Sequence, residues 1–199
     1  MTKYILNSGG LRKNPQKAKS FFGEILKDQS SNPNILYCFF AEKREYWEEK
    51  FKSYSEGFVD LIDSSIEPTF ELAFPDKFVQ QVEKADIIMI QGGDDHLLQY
   101  WLSQFNLREL FKNKVIATNS AGSDAMVEYF WTCDWRKCMD GLGLIPIKFI
   151  PHYQSDWGNE DPRGPIDWDS AFSELSEYKK TDLPVHALKE GDFIVIEII

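Results

Sequence analysis

Cysteine is scarce in this chain: Cys38, Cys133 and Cys138 are the three among 199 residues. Three thiols make no disulfide framework, and a reducing cytoplasm is the expected setting. Long apolar runs are missing too. None approaches a membrane span, and Met1-Thr2-Lys3-Tyr4-Ile5-Leu6 is too short to read as a signal peptide. Positive charge is in deficit, with 22 Lys and Arg against 32 Asp and Glu and a net charge of −10. That excludes nucleic acid or an anionic membrane surface held by bulk electrostatics, while leaving room for a local basic pocket. Metal-ligand spacing is also lacking. Cys133 and Cys138 lie five apart, but no second Cys/His pair completes a site, so neither metal nor cofactor is expected. There is no internal repeat and no low-complexity tract.

What remains is the composition of a globular protein, 43% hydrophobic and 27% charged, long enough for one substantial core. A single domain over residues 1–199 is the expected organisation. Buried-type strands alternate with amphipathic helices. Strands are read at Lys3–Asn7, Ile35–Phe40, Phe58–Ile62, Ile87–Gln91, Val115–Thr118 and Ile147–Ile150, with an extended piece at Pro68–Leu72. Helices fall between them: up to about Lys27, Lys43 to Glu56 with Gly57 as its stop, Pro75 to Lys84, one carrying Leu97 to Leu102, and Leu107 to Lys112. Such alternation predicts a doubly wound α/β domain, a mostly parallel sheet with helices on both faces. Val185–Leu188 and Phe193–Ile199, joined by Lys189-Glu190-Gly191-Asp192, read as a closing C-terminal hairpin. Gln154 to Asp182 is polar, acidic and rich in Trp, Pro and Gly, with a helix expected at Trp168–Tyr178. It reads as an excursion over the surface and a candidate lid.

Ligands of doubly wound sheets collect beyond the carboxyl ends of the strands. Three sequence features fall there. Gly92-Gly93 follows the strand at Ile87. Asn119-Ser120-Ala121-Gly122 turns a strand abruptly into a helix, which lifts Ser120 clear and sets the first helical N–H groups beside it. Small residues are wanted two before and two after such a serine. Gly122 meets the second requirement, and β-branched Thr118 meets the first poorly. Pro151-His152-Tyr153 delivers an imidazole from a third strand end. Ser8-Gly9-Gly10 also ends a strand but reads as a plain turn, because no phosphate-binding fingerprint follows it. Of the other histidines, His96 sits in the first turn of a helix and reads as a surface or packing residue, and His186 as structural.

Taken together and in order, Gly92-Gly93, Asn119-Ser120-Ala121-Gly122, Gly141-Leu142-Gly143-Leu144 before Pro151-His152-Tyr153, and Ala187-Leu188-Lys189-Glu190-Gly191 resemble the peptidase E (aspartyl dipeptidase) and cyanophycinase family of serine peptidases. The resemblance runs from Lys3 to the end and is weakest over Gln154–Asp182. It implies the fold of the class I glutamine amidotransferases and cleavage of a small peptide or amide through an acyl-enzyme. It also implies a role for each matching position. Ser120 falls on the nucleophile, His152 on the base and Glu190 on the acid that orients it. Gly92, Gly93 and Ala121 fall on the oxyanion donors. Asp192, Asp156 and Asp161 compete with Glu190. Where the family commonly has three glycines and Asn-Thr, this chain has Gln91-Gly92-Gly93-Asp94-Asp95, and Thr118 replaces a usual glycine. The alternative function is therefore a non-catalytic binding or regulatory domain on the same fold. A glutamine amidotransferase is disfavoured, since that chemistry places cysteine where Ser120 stands. A substrate beginning with aspartate would need a cation, for which Arg163 and Arg136 are the candidates.

Overall fold

The computed structural model describes residues 1–198. Its first strand, β1 (Thr2–Asn7), is buried almost throughout and leads into helix α1 (Pro15–Leu26). Two local rules start that helix. Pro15 occupies a position whose N–H would have no partner, and the Asn14 side chain accepts a hydrogen bond from the Lys17 amide at 3.1 Å. Ala18, Phe21 and Ile25 form its inward stripe. The alternation continues through β2 (Asn34–Cys38), α2 (Trp47–Val59), β3 (Thr69–Leu72), α3 (Phe78–Lys84) and β4 (Ile87–Ile90). It then passes through α4 (Asp95–Leu102), α5 (Leu107–Leu110) and β5 (Val115–Asn119) to the short α6 (Ala121–Met126).

These strands form a six-stranded sheet in the order β10-β1-β5-β4-β2-β3, where β10 is Phe193–Ile198. All neighbours are parallel except β10, which runs antiparallel to β1. The chain is an α/β protein with helices on both faces of a mostly parallel sheet. Ile87, Ile88, Met89 and Ile90 show why: a strand with no alternation must be covered on both sides. All four are 2% exposed or less, and each such side chain stabilises the fold by roughly 1.5–3 kcal/mol. No helix among the described residues is long and apolar enough to cross a membrane.

Three features depart from the sequence reading. First, Phe58–Ile62 does not begin a strand, because α2 runs through Gly57 to Val59. Trp47, Phe51, Tyr54 and Phe58 make one stripe at helical spacing, and Phe58 is fully buried against Phe22, ring centroids 4.6 Å apart. A glycine inside a helix costs about 1 kcal/mol, and burial of Phe58 outweighs it. Second, a four-stranded sheet follows α6, in the order β7-β6-β8-β9. It comprises β6 (Val127–Thr132), β7 (Lys137–Asp140), β8 (Ile145–Ile150) and β9 (Val185–Ala187), with α7 (Trp168–Glu177) packed against it.

Third, the expected closing hairpin does not form. Val185–Ala187 pairs in parallel with β8, and Phe193–Ile198 pairs with β1. Each segment covers an open sheet edge, which satisfies more unpaired backbone than pairing the two segments with each other. The turn between them, residues 188–192, consequently crosses from one sheet to the other and carries Glu190 to their junction.

Candidate active site

Ser120 stands between β5 and α6 with φ 51° and ψ −118°, a backbone region that a non-glycine residue occupies at a cost of about 1–3 kcal/mol. The surroundings hold it there. Its N–H donates to the Asn7 carbonyl at 3.0 Å, and its own carbonyl accepts from the Ser123 and Asp124 amides at 2.7 and 3.1 Å. Helix α6 passes so close to the end of the neighbouring strand β4 that a Cβ on Gly122 would lie 2.4 Å from the Ile90 carbonyl oxygen. Thr118 is fully buried on the other side. Its Oγ1 lies 2.7 Å from Ser123 Oγ, which donates onward to the Asn7 carbonyl at 2.8 Å. A hydroxyl pair thus occupies the space that a glycine two before the serine would leave open.

The structure brings Ser120, His152 and Glu190 together. Ser120 Oγ is 2.9 Å from His152 Nε2, and His152 Nδ1 is 3.2 Å from Glu190 Oε1. Asp192, Asp156 and Asp161 make no bond to the histidine. Asp192 pairs with Lys17, Asp161 with Arg163, and Asp156 bonds Asn159. His96 is an exposed residue packed edge-on against Trp135, and His186 lies half-buried on β9. Burial pushes the His152 imidazole below its usual range, against the opposing pull of Glu190. Burial alone would push Glu190 up, but hydrogen bonds from Lys13 and His152 more than offset it and hold the carboxylate below its ordinary value. Lys13 Nζ stands 3.0 Å from Glu190 Oε2.

Ser8-Gly9-Gly10, read above as a plain turn, is the floor of this arrangement. The Ser8 hydroxyl accepts from the His152 amide at 2.7 Å and donates to the Leu188 carbonyl at 2.7 Å, so one side chain fixes both loops. A Cβ on Gly9 would lie 2.3 Å from His152 Cε1, and one on Gly10 would lie 2.7 Å from Glu190 Cβ. Both glycines also have positive φ, 102° and 73°. The missed signal was positional: β1 is the parallel neighbour of β5, so its carboxyl end must lie beside Ser120. Trp157 was missed as well. It comes from the Gln154–Asp182 excursion and stacks on the His152 ring, with centroids 4.2 Å apart and planes within 20°.

Gly92 and Gly93 sit against the elbow. A Cβ on Gly92 would come within 2.7 Å of the Asn119 carbonyl oxygen and 3.0 Å of Ser120 Cβ. Among the described residues the Gly92 and Gly93 amides make no backbone hydrogen bond. Ala121 opens α6, where an N–H has no partner within the helix.

A cleft of about 100 Å³ opens beside the serine, lined by Ser120, Ala121, Gly93, His152 and Trp157 together with Asp95, Asp124 and Asp134. Burial raises the Asp95 carboxyl to about 6 and pushes Asp124 well above the usual carboxylate range. Neither Arg136 nor Arg163 lines this cleft. Arg136 donates to the Gly158 and Gly164 carbonyls, and Arg163 to Asp161 and to the Asp134 carbonyl. A larger, mostly apolar cleft of about 360 Å³ counts Gly10, Gln91 and Asn119 among its lining residues and does not include Ser120. The Cys133 thiol donates to the Pro151 carbonyl, and no group of three His, Cys, Asp or Glu side chains among the described residues is disposed to hold a metal ion.

A strained serine on a strand-to-helix turn, within hydrogen-bond reach of a buried imidazole, is the arrangement that serine hydrolases of α/β architecture use. The model of peptidase family S51 matches residues 4–197, and the chain belongs to that family of serine peptidases. Solved structures share the fold, two peptidases among them. A peptidase from an acI-B1 Actinobacterium is 22% identical, with TM-score 0.65, over 98% of this chain and 83% of that one. A protein assigned as peptidase E from Listeria monocytogenes EGD-e is 13% identical, with TM-score 0.63, over the whole of both chains. No curated protein sequence matches the chain significantly.

Proposed function

We propose that the protein cleaves a small peptide or amide through an acyl-enzyme, with Ser120 as nucleophile, His152 as base and then acid, and Glu190 as the group that orients the imidazole. The observation that carries this reading is the continuous chain of contacts from Ser120 Oγ through the His152 ring to Glu190, 2.9 and 3.2 Å. With Nδ1–H donated to Glu190, Nε2 is left as an acceptor for the serine proton. A hydroxyl is a weak nucleophile until that proton is taken, and positioned proton transfer contributes about 10²–10⁴ in rate. As the hydroxyl attacks the carbonyl, the imidazole becomes cationic beside an ionised Glu190, which stabilises it. The imidazolium then returns its proton to the leaving amine, and water repeats the sequence on the ester.

The developing oxyanion falls to the backbone N–H groups of Ala121 and of the Gly92-Gly93 loop. Such donors are typically worth about 2.7–4 kcal/mol each in the transition state. Glycine at 92 lets the loop approach the serine, and neither loop amide is committed to another backbone acceptor. The test uses a fluorophosphonate probe on wild type and Ser120→Ala, with mass mapping of the labelled residue and hydrolysis of a dipeptide panel. Labelling at Ser120 and loss of turnover by about 10⁴-fold or more are expected. Equal turnover in both proteins, or no labelling of a folded wild type, would sink the proposal in favour of a binding domain.

A further inference from the structure

We propose that the cleft beside Ser120 is a subsite for an ammonium group of the substrate, so that the enzyme favours a positive charge near the scissile bond and rejects an acidic side chain there. The proposal rests on the hydrolase reading above.

Three carboxyl groups line the same cleft as the nucleophile, and none of them meets a Lys or Arg there. Asp124 lies one turn along α6 from Ser120 and is 2% exposed. Its carboxyl makes no hydrogen bond among the described residues, and Oδ1 is completely shielded without a partner. Asp95, 4% exposed, accepts from the Thr132 hydroxyl through Oδ2 at 2.5 Å and leaves its Oδ1 shielded and unpartnered. Asp134 stands at the mouth and accepts from Trp157 Nε1 at 3.3 Å.

Buried polar groups in native folds are satisfied, and a buried carboxyl with an idle oxygen marks a place for an absent donor. An ammonium brings three N–H donors and a positive charge. It brings donors to the Asp124 carboxyl, which lines the cleft and has no hydrogen bond of its own, and offsets the repulsion between Asp124 and Asp95. A substrate carboxylate in the same place would meet three acids and no donor side chain of opposite charge. Arg136 and Arg163, the cations that an acidic specificity would call on, are turned to backbone carbonyls of the 158–164 segment and to Asp161 and Asp134.

The ammonium has two chemical sources, the side-chain amine of a lysyl residue and a free α-amino group. Five p-nitroanilides separate them: N-acetyl-lysyl, N-acetyl-alanyl, alanyl, N-acetyl-aspartyl and aspartyl. A side-chain source predicts N-acetyl-lysyl over N-acetyl-alanyl by at least 10-fold in kcat/KM. An α-amino source predicts alanyl over N-acetyl-alanyl by the same factor. Either way N-acetyl-aspartyl falls at least 10-fold below N-acetyl-alanyl. Asp124→Asn should collapse the cationic preference to within 3-fold, mainly through KM, and Asp95→Asn should do so in part. Should both variants fail to fold, the wild-type ratios alone decide. Fluorophosphonate labelling of wild type with no preference for either ammonium, or with an aspartyl substrate favoured, overturns the subsite and leaves the hydrolase standing. Absence of labelling removes both.

Discussion

The two flanks of the His152 ring carry the same kind of group and treat it in opposite ways. On one flank the carboxylate that meets the ring has a cation: Lys13 reaches Glu190 at 3.0 Å. On the other, Asp95, Asp124 and Asp134 line a cleft with no Lys or Arg side chain. The difference is one of ionisation. Glu190 is held below its usual pKa and stays charged, as a group that must steady an imidazolium requires. Asp124 is pushed well above the usual carboxylate range by burial, and an arriving counter-charge pulls in the opposite direction. Identical chemistry is tuned to a permanent role on one side and a ligand-dependent one on the other.

Four measurements break or sharpen that contrast. The largest effect is expected from Glu190→Gln, which keeps the shape of the paired flank and removes its charge. The amide also permits the wrong tautomer, so kcat should fall by about 10³–10⁴ with folding retained. A loss under tenfold would put the permanent role elsewhere. Next is Gly9→Ala. Its methyl would lie 2.3 Å from His152 Cε1, so the ring must move, and misplacement of this kind costs about 10²-fold in kcat/KM. Positive φ at Gly9 adds about 1–3 kcal/mol of destabilisation, read as a lower Tm.

The third concerns pH. His152 acts as a base only when neutral, and its pKa is lowered, so kcat/KM rises with pH through a midpoint below 6.5 and is flat above it. In Glu190→Gln the residual activity should have its acid limb at still lower pH, because the pull that favours the charged ring is gone. An acid limb above 6.5 in wild type would contradict the burial argument. The smallest effect is expected from Lys13→Met. Its side chain is 67% exposed. An exposed ion pair contributes at most about 1 kcal/mol, so a loss of no more than about fivefold in kcat/KM is expected, shrinking further at high salt.

The parts of the site that were legible in the chain are those whose signal is local. Val115 to Thr118 reads as buried because every residue is apolar or small, and Gly122 reads as a close crossing because no side chain fits there. His152 reads as delivered because it follows a strand and a proline. The illegible parts depend on which strands are neighbours. Ser8, Gly9 and Gly10 look like any turn until β1 is known to lie beside β5 and to share its carboxyl end with Ser120. Trp157 looks like one aromatic in an irregular stretch until it is seen stacked on His152. Phe58 reads as the start of a strand because Gly57 is a strong local stop signal, and only the packing of Phe58 on Phe22 and Phe70 overrides it.

By itself, then, the sequence determined the alternation of buried strand and amphipathic helix, the sharp turn at Ser120 and the set of polar side chains offered at strand ends. Those follow from periodicity, backbone sterics and charge, which act over a few residues. Tertiary structure alone decided that the last two strands separate to cover two different edges and carry Glu190 between the sheets to His152. It also decided that Asp95 and Asp124, distant in the chain, line one cleft beside the serine, each with a shielded oxygen that has no partner. Edge pairing and burial are collective outcomes of the whole chain, and no short stretch contains them.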